Sequence, residues 1–186
     1  MNETIKTIYS RRSMRAFKPE QLKEEDVSTI IDCGLNAPSA LNSQGWHFTV
    51  VQNKGLIEKM NTRIKEVLPT PARQRYLERH NGNENFSIFY AAPTIVVVSG
   101  LKDDAYTQIN CALATENMCL AAESLGIGSC IIGMATLIFN SPDVDEYIKD
   151  LSIPQGYKPM YAVSFGYKNM QMTKPARIPN KVNYIY

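Results

Sequence analysis

Three short segments of this chain collect side chains that can do chemistry. The first is RRSMRAF, with Arg11, Arg12, Ser13 and Arg15, followed by Lys18. Clustered guanidiniums suit bidentate recognition of phosphate. Read alone, such a run is accounted for better by a solvated basic turn. The second is APSALNSQGWHF, where Ser39, Asn42 and Gln44 offer hydrogen-bonding groups to a planar polar ligand. A plain helix-to-strand loop accounts for it equally well. The third is LGIGSCIIGM, an apolar stretch edged by Gly126, Gly128 and Gly133. Glycines there let a flat ring approach the backbone; a tight strand end would need no ligand at all. Lys174 and Arg177 form a smaller basic pair near the other terminus.

Other chemistries lack their residues. The glycines have the wrong spacing for a dinucleotide fingerprint, and they follow a helix rather than a strand. No GxxxxGK[ST] or GxSxG motif is present. His47 and His80 have no metal-ligand spacing, so no metal is expected. Cys33, Cys111, Cys119 and Cys130 form no C-x-x-C pair and lie in apolar stretches, as reduced core thiols do. The 20 basic and 18 acidic residues leave a formal charge of +2, too balanced for a general nucleic-acid binder. No apolar run approaches membrane-spanning length, and no apolar leader stands at the N-terminus. A cytoplasmic protein is therefore expected.

Taken together, R-x-S-x-R-x-F, P-S-x-x-N-x-Q-x-W-x-F and L-G-x-G-S-C-x-x-G resemble the nitroreductase family, with APTIVVV ahead of a long helix adding to the match. The resemblance covers the chain except residues 54–90. It implies an α+β fold with a mixed, mainly antiparallel sheet flanked by helices, and a homodimer built on a long buried helix. It implies an oxidoreductase that carries FMN at the dimer interface and takes electrons from NADH or NADPH. Nitroaromatics or quinones would be reduced in a ping-pong cycle. Carried over by residue, Arg11 and Arg177 would hold the FMN phosphate, together with Arg12 and Lys174. Ser13 would bond the flavin's polar edge, and Arg15 would stand near N1 and O2. Pro38, Ser39, Ala40 and Asn42 would reach the flavin from the second subunit. The backbone of Ile132, Gly133 and Met134 would supply the N–H facing N5. No protein nucleophile is implied, and Arg15 gives electrostatic support. The chain departs from its relatives at Ala40, where Ser is frequent, at Gly45, where Pro is common, and at Ile131, where Trp is common. A flavin-binding sensor without turnover, or another reduction on this fold such as dehalogenation or enone reduction, remains open.

These residues need elements to position them. Ile5, Ile8 and Tyr9 predict a short helix capped by Asn2. A second helix is expected from about Lys23 to Asn36, with Gly34 marking the close passage of another backbone. Trp46–Gln52 reads as a strand, and Leu56–Leu68 as a helix ended by Pro69 and Pro71. Residues 72–90 show little periodicity and are expected to form a lid or variable excursion. Ile95–Val98 is β-branched throughout, as in a strand covered on both faces. A helix from Asp103 to Leu125 is apolar on almost every side and should be buried. Ser141 and Pro142 should start a further helix, and Met160–Phe165 reads as a core strand. The closing KVNYIY is expected as an edge strand. One domain over residues 1–186 accommodates all of this.

Overall fold

The computed structural model describes residues 1–186. At its centre is a four-stranded sheet in the order β1-β2-β4-β3, where β1 is Trp46–Val51, β2 Thr94–Leu101, β3 Ile127–Ile132 and β4 Tyr157–Tyr167. All three ladders are antiparallel. The parallel part of the expected mixed sheet is one bridge, Ser13 to Ser129. β2 is buried on both faces because its side chains alternate between two cores. Ile95 and Val97 join a larger core under α3 (Lys54–Glu66), α4 (Thr70–Arg79), α6 (Thr136–Phe139) and α7 (Val144–Asp150). Val96 and Val98 join a smaller core under α2 (Glu24–Leu35) and α5 (Thr107–Ser124).

Most elements follow from their local sequence. α1 (Glu3–Ser10) is capped by Asn2, whose Oδ1 accepts from Ile5 N at 3.0 Å. Asn53 caps α3 in the same way through Leu56 N. Several expectations are corrected. Gly34 does not meet a backbone: a Cβ there would lie 2.7 Å from Cγ of Met118, so α2 and α5 pack through that side chain. Pro69 and Pro71 open α4 rather than merely ending α3, since a proline in the first helical turn forfeits no hydrogen bond. Ser141 precedes a turn, accepting from Asp143 N at 3.3 Å, and α7 starts at Val144.

The stretch after α4 is packed despite its weak pattern. Phe86, Ile88, Phe89 and Tyr90 are all buried. Tyr76 of α4 stacks on Phe86 with ring centroids 5.2 Å apart, and the buried Asn61 accepts from Ile88 N at 2.8 Å. The long helix begins at Thr107, four residues later than expected; Asp104 instead turns the chain, its Oδ1 accepting from Tyr106 N at 2.8 Å. Nor is that helix buried all round. Tyr106, Ile109 and Leu113 stay exposed along one stripe. Residues 170–186 form no strand.

Candidate functional site

The RRSMRAF segment runs along the open edge of β3. Arg11 ends α1, its N–H donating to Thr7 O at 2.9 Å. Met14 N donates to Ser129 O at 2.8 Å, and Lys18 N to Tyr167 O at 2.9 Å. Met14 and Phe17 are buried and pin the segment, and Arg15 between them is left exposed. Arg11 Nε lies 3.2 Å from Glu116 Oε1 of α5. Arg12 turns aside: its Nη1 donates to Arg11 O at 2.6 Å, and its buried Nε has no partner. Arg12 lines a cavity of about 270 Å³ together with Met14, Glu123 and Lys168.

β3 is buried along most of its length and leads into Gly133. Cys130 faces the larger core, where burial pushes its thiol pKa up, while the charges of Arg15, Arg11 and Arg79 pull it down. Arg11 and Arg15 flank the Ser13–Met14 backbone that is bonded to Ser129, the residue before Cys130 on this strand. Beyond it, Ile132 is buried, and Gly133 is exposed at the start of a 3-10 turn over Gly133–Ala135. A Cβ added at Gly133 would touch nothing within 4 Å. Thr136 Oγ1 donates to Gly133 O at 2.8 Å and holds the turn. Met134 is half-buried beside it, against the larger core.

The Pro38–Gly45 loop is tied to the first turn of α5. Ala40 N donates to Oδ1 of the buried Asn110 at 3.0 Å, which leaves that N–H committed within the protein. Ser39 Oγ accepts from Gln44 N at 2.9 Å, and Asn42 Oδ1 from Gln44 Nε2 at 3.2 Å. Leu41, Asn42 and Gln44 all have positive φ, at 54°, 54° and 47°. Leu41 is 96% exposed. Pro38 precedes the turn with no polar group of its own to offer beyond its carbonyl.

At the far terminus, Lys174 Nζ lies 4.8 Å above the Tyr9 ring, which brings the tail to α1. Arg177 is exposed and makes no ion pair. The structure thus gathers Arg11, Ser13, Arg15 and the Ile132–Met134 turn around β3, with Lys174 against the preceding helix. It also separates the 38–45 loop from the arginines: their anchors, Asn110 and Glu116, are ~9 Å apart along α5 and on different sides of it. Sequence reasoning missed Arg79, Glu116 and Asn110. Arg79 lies in the weakly patterned stretch, and the other two look like ordinary polar positions of a helix.

With this geometry established, comparison with known proteins is informative. The nitroreductase family model matches residues 8–167. A protein of Archaeoglobus fulgidus named as an NADH dehydrogenase/NAD(P)H nitroreductase is 32% identical over 170 residues, covering 90% of this chain and 86% of its own. The crystal structure of a Bacteroides fragilis nitroreductase with bound FMN superimposes with a TM-score of 0.87 at 33% identity, covering 100% of both chains. A second FMN-bound nitroreductase, from Desulfitobacterium hafniense, gives 0.89 at 32% identity with the same coverage. The model match spans most of the chain, and the fold agrees along its whole length: this protein belongs to the nitroreductase family.

Proposed function

We propose that this protein is an FMN-dependent oxidoreductase that takes hydride from NADH or NADPH and reduces planar acceptors such as nitroaromatics or quinones. The observation that carries this reading is that the segment bearing Arg11, Ser13 and Arg15 is hydrogen-bonded along β3, the strand that leads directly into the open backbone of Gly133. An anionic phosphate and a flat ring that gains negative charge on reduction need that combination of cations and bare backbone. The residues present fit the group. Arg11 would hold the phosphate, with Lys174 and Arg177 reaching it from the tail. Ser13 and Arg15 would face the pyrimidine edge, and the Gly133 turn would lie against the ring.

When bound, FMN supplies the hydride chemistry. The chain supplies position and electrostatics. Arg15 would place positive charge near the pyrimidine edge, where a bound, reduced flavin would carry negative charge, as a preorganised dipole stabilises an oxyanion. Gly133 presents backbone without a side chain, so the space above it admits a planar molecule. One such opening serves NAD(P)H and the acceptor in turn, in a ping-pong order.

The working molecule is a homodimer in this reading. Tyr106, Ile109 and Leu113 form an exposed apolar stripe at helical spacing on α5, with Glu116 and its partner Arg11 at the end of it. A two-fold contact along this stripe pairs the same patch from both copies, with the α5 helices antiparallel. The 38–45 loop near one end then approaches the Arg11 region of the other copy. That is how one chain's separated halves complete a shared site.

The test is optical. Purified protein should be yellow and release FMN on heating, identified by mass. NADH or NADPH should bleach it, and a quinone should restore the colour. A colourless protein that FMN cannot reconstitute would refute the reading. A yellow protein that no nicotinamide bleaches would reduce it to flavin binding without turnover.

A further inference from the structure

The 38–45 loop has an unusual build. Three non-glycine residues hold left-handed backbone in four positions, and one of them, Leu41, is a bulky residue at φ 54° with its side chain 96% exposed. Such a conformation persists only where the surroundings over-determine it. Nothing packs on Leu41 to do so, and Gly45 at the loop's end adds no stiffness of its own. The restraint comes from beneath. Asn110 of α5 is 1% exposed and uses both ends of its amide. Oδ1 accepts from Ala40 N at 3.0 Å; Nδ2 donates to Ser43 Oγ at 3.1 Å and to Asp104 Oδ2 at 3.2 Å. Ser43 Oγ also donates to Asp104 Oδ2 at 3.5 Å, and Leu101 N to Gly45 O at 3.0 Å. A Cβ at Gly45 would lie 3.0 Å from Leu101 Cδ1 and 3.2 Å from Asp104 Oδ2, so the loop is drawn down tightly onto this group.

We infer that Asn110, set by Asp104, is a positioning residue that holds the 38–45 loop in the shape that meets the flavin of the second copy. This rests on the shared-site reading above. Asn110 touches neither the flavin nor the reactants; it acts through Ala40 and Ser43. A buried amide with every polar atom engaged is rigid, because freeing any one leaves it unsatisfied away from water. Its direction is fixed too. Asp104 accepts only, so Nδ2 must point at Asp104 and Oδ1 at Ala40 N. That polarity can be reversed by exchanging the two side chains.

The experiment uses the full-length protein stripped of flavin, with FMN affinity read from the quenching of flavin fluorescence. Emission from Trp46, the single tryptophan, directly follows the loop and gives a second readout. Urea unfolding reports stability separately. In Asn110→Asp, two carboxylates would face each other, and FMN affinity should fall by about tenfold, the effect of a lost buried hydrogen-bond set. The exchange variant, Asn110→Asp with Asp104→Asn, keeps one amide and one carboxylate. It should return affinity to within about threefold of wild type, as two coupled partners do in a double-mutant cycle. Ser43→Ala, at an exposed position, should weaken FMN by about threefold and shift Trp46 emission.

Restoration by the exchange, with Trp46 emission recovering in step, supports the proposal. Wild-type FMN affinity in Asn110→Asp and Ser43→Ala, with or without a lower urea midpoint, would overturn it and leave Asn110 a merely structural residue. Failure of the exchange to recover affinity while its unfolding matches wild type would overturn it as well. Wild-type protein that takes up no FMN would instead refute the functional reading itself, and this proposal with it.

Discussion

Arg11 and Arg15 stand four residues apart on one pinned segment yet face different tasks. Arg11 is partly buried and paired with Glu116, so its guanidinium is oriented before any ligand arrives. Arg11→Ala should weaken FMN binding by about tenfold or more, the scale of a lost charge-assisted contact, in a fluorescence titration. Arg15 is exposed and makes no ion pair, so its charge is free to act on the ring. Arg15→Ala should lower the flavin midpoint potential by roughly 30 mV, the two-electron equivalent of about 1.4 kcal/mol, in a spectroelectrochemical titration. An unchanged potential would remove Arg15 from the ring. These residues were legible in the sequence because types and spacing carry them. Arg79 was not, because its approach to Cys130 depends on how α4 folds back, which no local pattern records.

At the level of elements, the site depends on how closely the basic segment lies on β3. Gly128 permits that approach: a Cβ there would lie 2.8 Å from Met14 Cγ and 2.9 Å from Met14 Cβ. Gly128→Ala must push the segment outward. It should cost ~1–3 kcal/mol, as overpacking does, read by urea unfolding, and it should loosen FMN because Arg11 and Ser13 move with Met14. Unaltered stability would mean the segment yields freely. The helices and strands with strong periodicity were read within a few residues of their bounds. α4 was not, because its buried face is reduced to Ala72 and Tyr76, with arginines filling the rest. The packing of Phe86 on Tyr76 organises that region, and it is a contact between elements rather than a pattern within one.

For the molecule as a whole, the exposed stripe of α5 and the buried thiols set two further expectations. Leu113→Asp places a charge within the proposed seam. It should weaken dimerisation roughly thirtyfold or more, from about 2 kcal/mol for a central apolar contact, and flavin should be lost with it; sedimentation velocity checks this. A variant that remains dimeric and yellow would put the interface elsewhere. Burial pushes the Cys111 and Cys119 thiols up from 9.0 to about 11, and raises Cys130 as well. A pKa raised in the folded state favours the protonated thiol. The stabilisation is therefore complete below pH 9 and disappears as pH climbs to about 11. The urea midpoint should fall across that window, by an amount on the order of 2 kcal/mol for each of Cys111 and Cys119. A flat profile would show that the core admits water.

By itself the sequence determined the kinds of element, the three chemical segments and the family they resemble, because hydrophobic period, caps and motif spacing are properties of neighbouring residues. Only the tertiary structure decided which of those segments meet. It set Arg11, Ser13 and Arg15 against β3 and anchored the 38–45 loop near the start of α5, on a different side from the Arg11 contact. It also left one stripe of an apolar helix uncovered. Each of these is a contact between residues far apart in the chain, chosen by how whole faces pack rather than by what any stretch prefers alone.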